Sequence, residues 1–257
     1  MELPCDVVGD GPALILLHAG VADRRMWSDL LAPLAQAGYR VVAVDLPGFG
    51  DADAAGSPAG PWVDIAETMD ALGLADAAVV GVSFGGVIAE RFAYVYPQRV
   101  TALVLVSAAA PGHAFSDELV AAQDREVEAF EADDLDGALA AVLDTWTRED
   151  APAVREKVAV MQRRAFELQS LVEETDPDDP LDDDPALLIG ITAPTLVMSG
   201  AQDWEDFRVC ADVLAAALPD ARLVTIDGAG HLPPLEQPDE FRTAVLSFLA
   251  EAHASPR

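Results

Sequence analysis

Ser83 stands in Gly81-Val82-Ser83-Phe84-Gly85, a Gly-x-Ser-x-Gly pattern. A serine hydroxyl is a weak nucleophile until a base, usually an imidazole oriented by a carboxylate, takes its proton. The flanks give the pattern its meaning. Residues 77–80 are an apolar, strand-like run, and residues 84–96 read as a helix. A strand that turns sharply into a helix would hold Ser83 in a strained backbone conformation at the helix N-terminus. There, free N–H groups and the helix dipole favour developing negative charge. Side chains two residues either side of such a corner would collide, so positions 81 and 85 call for glycine. Gly86 gives helix and strand room to approach. A phosphate-cradling loop is the competing reading, but the chain has no G-x-x-x-x-G-K-[ST] pattern.

The base must be one of four histidines. His253 is near the C-terminus and reads as solvated. His113 has no carboxylate at hand in sequence, and His18 ends a strand-like run. His231 lies in Asp227-Gly228-Ala229-Gly230-His231, a glycine-rich loop after another apolar run. Loops that follow parallel strands gather at the carboxyl edge of a sheet, where sites form. His231 is therefore the expected base. The carboxylate should lie between Ser83 and His231 and follow a strand. Asp203 does so in Ser199-Gly200-Ala201-Gln202-Asp203, with Glu205 and Asp206 as rivals. Asp227 fits a turn-stabilising role better. Two backbone N–H groups should receive the oxyanion. Phe84, next to the nucleophile, supplies one. Gly20, in the loop His18-Ala19-Gly20-Val21, is the choice for the other.

Those residues need a frame. Apolar runs at 13–17, 41–44, 77–80, 103–106, 195–198 and 223–226 mostly lack polar alternation, as parallel strands covered on both faces do. Helical patterns fall at 26–35, 63–72, 84–96, 206–218 and 238–252. Alternating strands and helices predict an α/β fold with a doubly wound, mostly parallel sheet. Residues 113–189 break the rhythm with helical patterns alone. Half of the chain's acids, 22 of 45, fall between Ser116 and Pro185, and a Pro-Asp loop at 176–185 closes the stretch. This predicts a helical cap, or lid, at 113–189 inserted into a core made of 1–112 and 190–257. A separate helical domain is the alternative.

The chain has 257 residues, of which 51% are hydrophobic, enough for a large core in one domain. Its formal net charge is -30, with 45 acids against 15 bases. Nucleic acid and anionic membrane surfaces are poor partners for such a charge. The apolar runs are far shorter than the roughly 18 residues of a membrane span. No basic leader precedes them, so a cytoplasmic protein is expected. Cys5 and Cys210 have no metal-like spacing and read as buried thiols. Lys157 is the only lysine. An acidic, lysine-poor surface suits concentrated salt, and a GC-rich genome would give the same lysine deficit.

Four separated motifs occur in order: Leu16-Leu17-His18-Ala19-Gly20, Asp45-Leu46-Pro47-Gly48-Phe49-Gly50, Gly81 to Gly85, and Gly228-Ala229-Gly230-His231. Together they resemble the α/β-hydrolase superfamily across nearly the whole chain. The stretch His18 to Trp27 is similar to the small esterase and enol-lactone hydrolase branch. The resemblance implies about eight strands, a helical cap, a Ser83–Asp203–His231 triad, an oxyanion hole at Gly20 and Phe84, and structural roles for His18 and Asp45. Two positions depart from the family pattern. Ala19 replaces the usual glycine after the histidine, and Asp51 replaces a common serine, placing negative charge near the expected entrance. The implied activity is hydrolysis of a small, largely apolar carboxylic ester or lactone, with no metal or organic cofactor. Trp27, Phe84, Trp146, Trp204 and Leu232 are the expected substrate pocket, with Phe130, Met161 and Phe166 in the cap; each also has an ordinary-core reading. C–C bond hydrolysis, perhydrolysis or a ligand-receptor role with the same residues are the alternatives. Substrate choice lives mainly in the cap.

Overall fold

The structure is a computed structural model that describes residues 1–170 and 177–254. Among these, seven strands form one sheet: β1 (Cys5–Val8), β2 (Ala13–Leu17), β3 (Arg40–Val44), β4 (Ala77–Val82), β5 (Val100–Val106), β6 (Thr195–Gly200) and β7 (Ala221–Ile226), in the spatial order β1-β3-β2-β4-β5-β6-β7. Only the β1–β3 pairing is antiparallel. The chain thus has seven described strands where the resemblance implied about eight. Residues 1–4 carry no strand and are tied to the helix Pro61–Ala71 instead. The Leu3 N–H donates to the Thr68 hydroxyl (2.8 Å), the Met1 ammonium binds Asp64, and Pro4 has no N–H.

Nine helices are described: α1 (Ser28–Gln36), α2 (Pro61–Ala71), α3 (Phe84–Val95), α4 (Asp117–Glu131), α5 (Leu135–Trp146), α6 (Pro152–Gln169), α7 (Glu205–Ala217), α8 (Pro233–Glu236) and α9 (Pro238–Ala254). Local chemistry starts several of them. Pro61 and Pro152 occupy first-turn positions that lack an intrahelical acceptor. Ser116 and Asp134 cap α4 and α5 by accepting from the Leu119 and Gly137 N–H groups.

Alternate strand residues feed two cores. Leu14, Leu16, Val41, Ala43, Val80 and Val104 pack with Leu30 and Leu34 of α1 and Phe241 and Val245 of α9. Ile15, Leu17, Val42, Val44, Val79 and Leu103 pack with Ile65 of α2, Phe92 of α3 and Leu214 of α7. Apolar residues at every position of β2 and β4 follow from this two-sided burial. β7 is an edge strand and is largely uncovered.

The connection from β5 to β6 carries α4, α5, α6 and a short 3-10 helix (Pro185–Gly190). Its side chains reach the core on several sides. Lys157 Nζ meets Asp29 at 2.8 Å, Arg164 Nε donates to the Gly50 carbonyl at 3.2 Å, and Arg91 of α3 grips Asp179 through two nitrogens. Of the expected 176–185 loop, Asp176 lies outside the described residues; Asp182 and Asp183 have positive φ angles of 47° and 49°. No described helix is long and apolar enough to cross a membrane.

Candidate active site

Four parallel strands deliver the candidate residues to one edge of the sheet. Ser83 follows β4 and opens α3 with φ 51° and ψ -115°, a left-handed conformation rare for a residue with a side chain. Its N–H donates to the Val106 carbonyl at 2.8 Å, which pins the corner to the adjacent strand. The flanking glycines are required for reasons different from a clash between their own side chains. A Cβ at Gly81 would sit 2.2 Å from the Gly85 carbonyl oxygen. One at Gly85 would sit 2.4 Å from the His18 carbonyl oxygen on the neighbouring loop. The corner is tight against backbone on both sides.

His231 must reach back to Ser83 from β7, three strands away, or about 14 Å at ordinary strand spacing. Its loop does this by folding over the end of β6. The Gln202 N–H donates to the Ala229 carbonyl at 2.8 Å, and Gly200 lies so close to Gly230 that a Cβ there would meet its oxygen at 2.0 Å. Glu236 accepts from the Gly230 N–H. His231 Nε2 is then 2.9 Å from Ser83 Oγ, and Nδ1 is 2.9 Å from Asp203 Oδ1. Asp203 is buried, and the same oxygen accepts the Trp204 N–H at 2.8 Å. The rivals lie elsewhere. Asp206 accepts from the Ser116 N–H (2.7 Å) and hydroxyl (2.8 Å), and Glu205 is exposed.

Gly20 follows β2, the neighbour of β4, so its loop abuts the serine corner. A Cβ at Gly20 would lie 3.3 Å from Phe84 Cβ. Among the described residues, neither the Gly20 nor the Phe84 N–H is taken up by a hydrogen bond. Ala19 carries the turn here: its carbonyl accepts from the Ala22 N–H (3.0 Å) and from His18 Nδ1 (2.8 Å). His18 Nε2 in turn accepts the Leu46 N–H at 2.9 Å. Burial holds this imidazole below its usual pKa, against the opposing effects of the Ala19 carbonyl and Asp45, so it stays neutral and ties two loops. Asp45 is fully buried and accepts from the Arg24 and Asp51 N–H groups, each at 2.8 Å.

The expected pocket divides. Trp146 lies against His231 with ring centroids 4.7 Å apart, and Trp204 donates its indole N–H to the Thr145 carbonyl at 2.8 Å. Trp27 and Leu232 have no exposed surface; Trp27 packs on Phe241 in the core, so neither offers a face to a ligand. Phe130 and Phe166 pack on each other (5.2 Å), and Met161 is 2% exposed. Two aromatic residues outside the expected pocket adjoin the site. Phe207 of α7 lies 4.3 Å from the His231 ring, and Phe49 lies 6.0 Å from Phe84, a residue that is itself 40% exposed. Both occur within apolar helical or loop patterns that do not reveal what their rings face.

Asp51 is not a free negative charge. Arg24 binds it at 2.7 Å and lowers its pKa. It lines a cleft of about 640 Å³ between α6 and the loops after β2 and β3, together with Arg24, Arg163 and Arg164. A second cleft of about 590 Å³ adjoins α1 and α6. Neither includes Ser83 or His231. Among the described residues, no group of three or more His, Cys, Asp or Glu side chains could hold a metal ion.

The family model for the alpha/beta hydrolase fold matches residues 12–238. A pimeloyl-[acyl-carrier protein] methyl ester esterase of Aromatoleum aromaticum is 32% identical over 255 residues, covering 89% of this chain and 94% of its own. A polyketide synthase of Burkholderia thailandensis is 32% identical over 259 residues, which are 95% of this chain and 12% of the synthase. A solved esterase from Thermogutta terrifontis superposes with a TM-score of 0.79 at 26% identity, over 98% of this chain and 94% of that one. With the match spanning most of its length, the chain belongs to the α/β hydrolase fold family and is a hydrolase.

Proposed function

We propose that the protein is a serine hydrolase that cleaves a carboxylic ester or lactone of a small, largely apolar substrate through an acyl-enzyme on Ser83. The observation that carries this reading is the continuous line from the buried Asp203 through His231 to Ser83, with 2.9 Å at both steps. Asp203 accepts the Nδ1–H and so leaves Nε2 free to accept the serine proton. Ser83 Oγ bonds to the carbonyl carbon as its proton passes to Nε2. The oxyanion is received by the N–H groups of Phe84 and Gly20. Collapse breaks the bond to the alkoxide, which takes the proton from His231; in a lactone this oxygen stays tethered. Water then attacks the acyl group, His231 takes its proton, and Ser83 leaves and is reprotonated.

The surroundings support an uncharged acyl group. Phe84, which is 40% exposed, and Phe49 packed against it place aromatic surface beside Ser83. The helices between β5 and β6 act as the cap over this site, with the boundaries 113–189. The Aromatoleum relative is named as a methyl ester esterase and the Thermogutta protein as an esterase, and both support ester hydrolysis as the reaction class.

The test is intact mass after a fluorophosphonate probe, alongside hydrolysis of p-nitrophenyl acetate and butyrate, for wild type and Ser83→Ala. One adduct and measurable turnover in wild type, both abolished in the variant, is the expected result. Saturable binding with no adduct and no turnover, in folded protein at low and high salt, would move the protein to the receptor class. Turnover of a C–C substrate in preference to the esters would move it to the C–C hydrolases.

A further inference from the structure

Three residues at and just after the end of α5, Thr145, Trp146 and Arg148, between them touch both loops that bring Asp203 and His231 to Ser83. The Thr145 carbonyl accepts the indole N–H of Trp204, the residue after Asp203, at 2.8 Å. The Trp146 ring packs on His231, and together with Phe207 it completes a triangle of ring centroids with sides of 4.7, 4.3 and 5.9 Å. The Arg148 guanidinium donates to the Gly228 carbonyl, in the loop that carries His231. Its stem runs over Gly230, where a Cβ would lie 3.2 Å from Arg148 Cγ. Asp150 accepts from the other nitrogens of the same guanidinium at 2.9 and 2.7 Å, which fixes its direction.

An imidazole held only by one bond at each nitrogen keeps freedom about its side-chain torsions. Rings packed against it remove that freedom. A base displaced by about 1 Å can lose on the order of a hundredfold in rate. β7 is the outer strand of the sheet with half of its residues exposed, so the loop that follows it has a neighbouring strand on one side only.

We propose that residues 145–148 of the helical insertion form a positioning clamp that holds the acid and base loops against Ser83, so that the insertion sets the rate of acyl transfer directly. The proposal rests on the reading of Ser83, His231 and Asp203 given above. Trp146 and Arg148 are positioning residues: they act through His231.

The experiment compares wild type with Trp146→Ala, Trp146→Phe, Arg148→Ala and Lys157→Ala. Lys157 ties the insertion to α1 through Asp29, away from both loops. The readouts are kcat and KM for p-nitrophenyl butyrate, the rate of fluorophosphonate labelling, and the downfield proton resonance of the His231 Nδ1–H bonded to Asp203. In Trp146→Ala and Arg148→Ala, kcat and labelling should fall about tenfold or more with KM within about twofold, and the resonance should broaden or vanish. Trp146→Phe keeps a ring against His231 and should recover most of the loss. Lys157→Ala should match wild type. Unchanged kcat and resonance in both the Trp146→Ala and Arg148→Ala variants, or an equal loss in Lys157→Ala, overturns the clamp. If Trp146→Ala fails to fold, Arg148→Ala decides, since its side chain is 24% exposed and outside the core. Wild type that neither labels nor turns over overturns the serine-hydrolase reading itself, and the variants distinguish that failure from failure of the clamp alone.

Discussion

Ser83 adopts φ 51°, a conformation that a residue with a Cβ reaches only under constraint from its neighbours. Strain of this kind amounts to about 1–3 kcal/mol and is relieved by removing the Cβ. Elsewhere in a chain, Gly in place of Ala usually lowers stability by about 0.5–1 kcal/mol. Here the order should reverse: Ser83→Gly should be more stable than Ser83→Ala by urea denaturation, although both lack the proposed nucleophile. Equal stability, or a more stable alanine variant, would mean that the corner carries no strain. That Ser83, His231 and Asp203 would meet at one edge of the sheet was legible in sequence, because each follows an apolar run. The aromatic surround was not. Trp27 and Trp146 are indistinguishable as letters, yet one is sealed against Phe241 and the other lies on His231. Only the path of the chain separates them.

At the scale of the elements, α3 does two things: it presents Ser83 at its start and buries Glu90 at its middle. Burial pushes the Glu90 carboxyl up to about 8, opposed by Arg91 and assisted by Asp179. One of its oxygens has no partner among the described residues. Unfolded, the group would titrate near its ordinary value of 4.5. The unfolded chain therefore releases this proton first as pH rises. Stability from this group is full below about pH 4.5 and declines toward pH 8. Glu90→Gln should remove that decline, so its urea midpoint should change less than that of wild type between pH 5 and 8. A wild-type slope retained in the variant would place its source elsewhere. Strands β2 to β6 were legible because burial on both faces makes them largely unbroken apolar runs, whereas the half-exposed β7 was read from residues 223–226 alone. β1 was not, because Cys5-Asp6-Val7-Val8 is a half-exposed antiparallel edge. Helix α1 begins two residues later than its apolar spacing implied, since Asp23 caps a 3-10 turn over Arg24–Trp27 first.

Across the whole molecule, acids outnumber bases three to one. Most of the bases are already engaged, as in Arg24 with Asp45 and Asp51, Arg25 with Asp23, and Arg91 with Asp179. The unpaired acids repel one another across the surface. Salt shortens the range of that repulsion from about 10 Å at 0.1 M to about 3 Å at 1 M. The melting temperature should therefore rise from low to molar sodium chloride; a flat or falling curve would remove self-repulsion as a determinant of stability. The order of the sheet has a consequence in time as well. Strands β1 to β5 emerge first from the ribosome and are contiguous in space, so the corner that holds Ser83 has its neighbours early. β6 begins only at Thr195, after the long connection from Val106, and its pairing with β5 must close that loop first. His231 arrives later still. A growing or refolding chain would present the Ser83 corner for much of its assembly with no imidazole beside it, and on the proposed triad hydrolysis would be the last property it acquires.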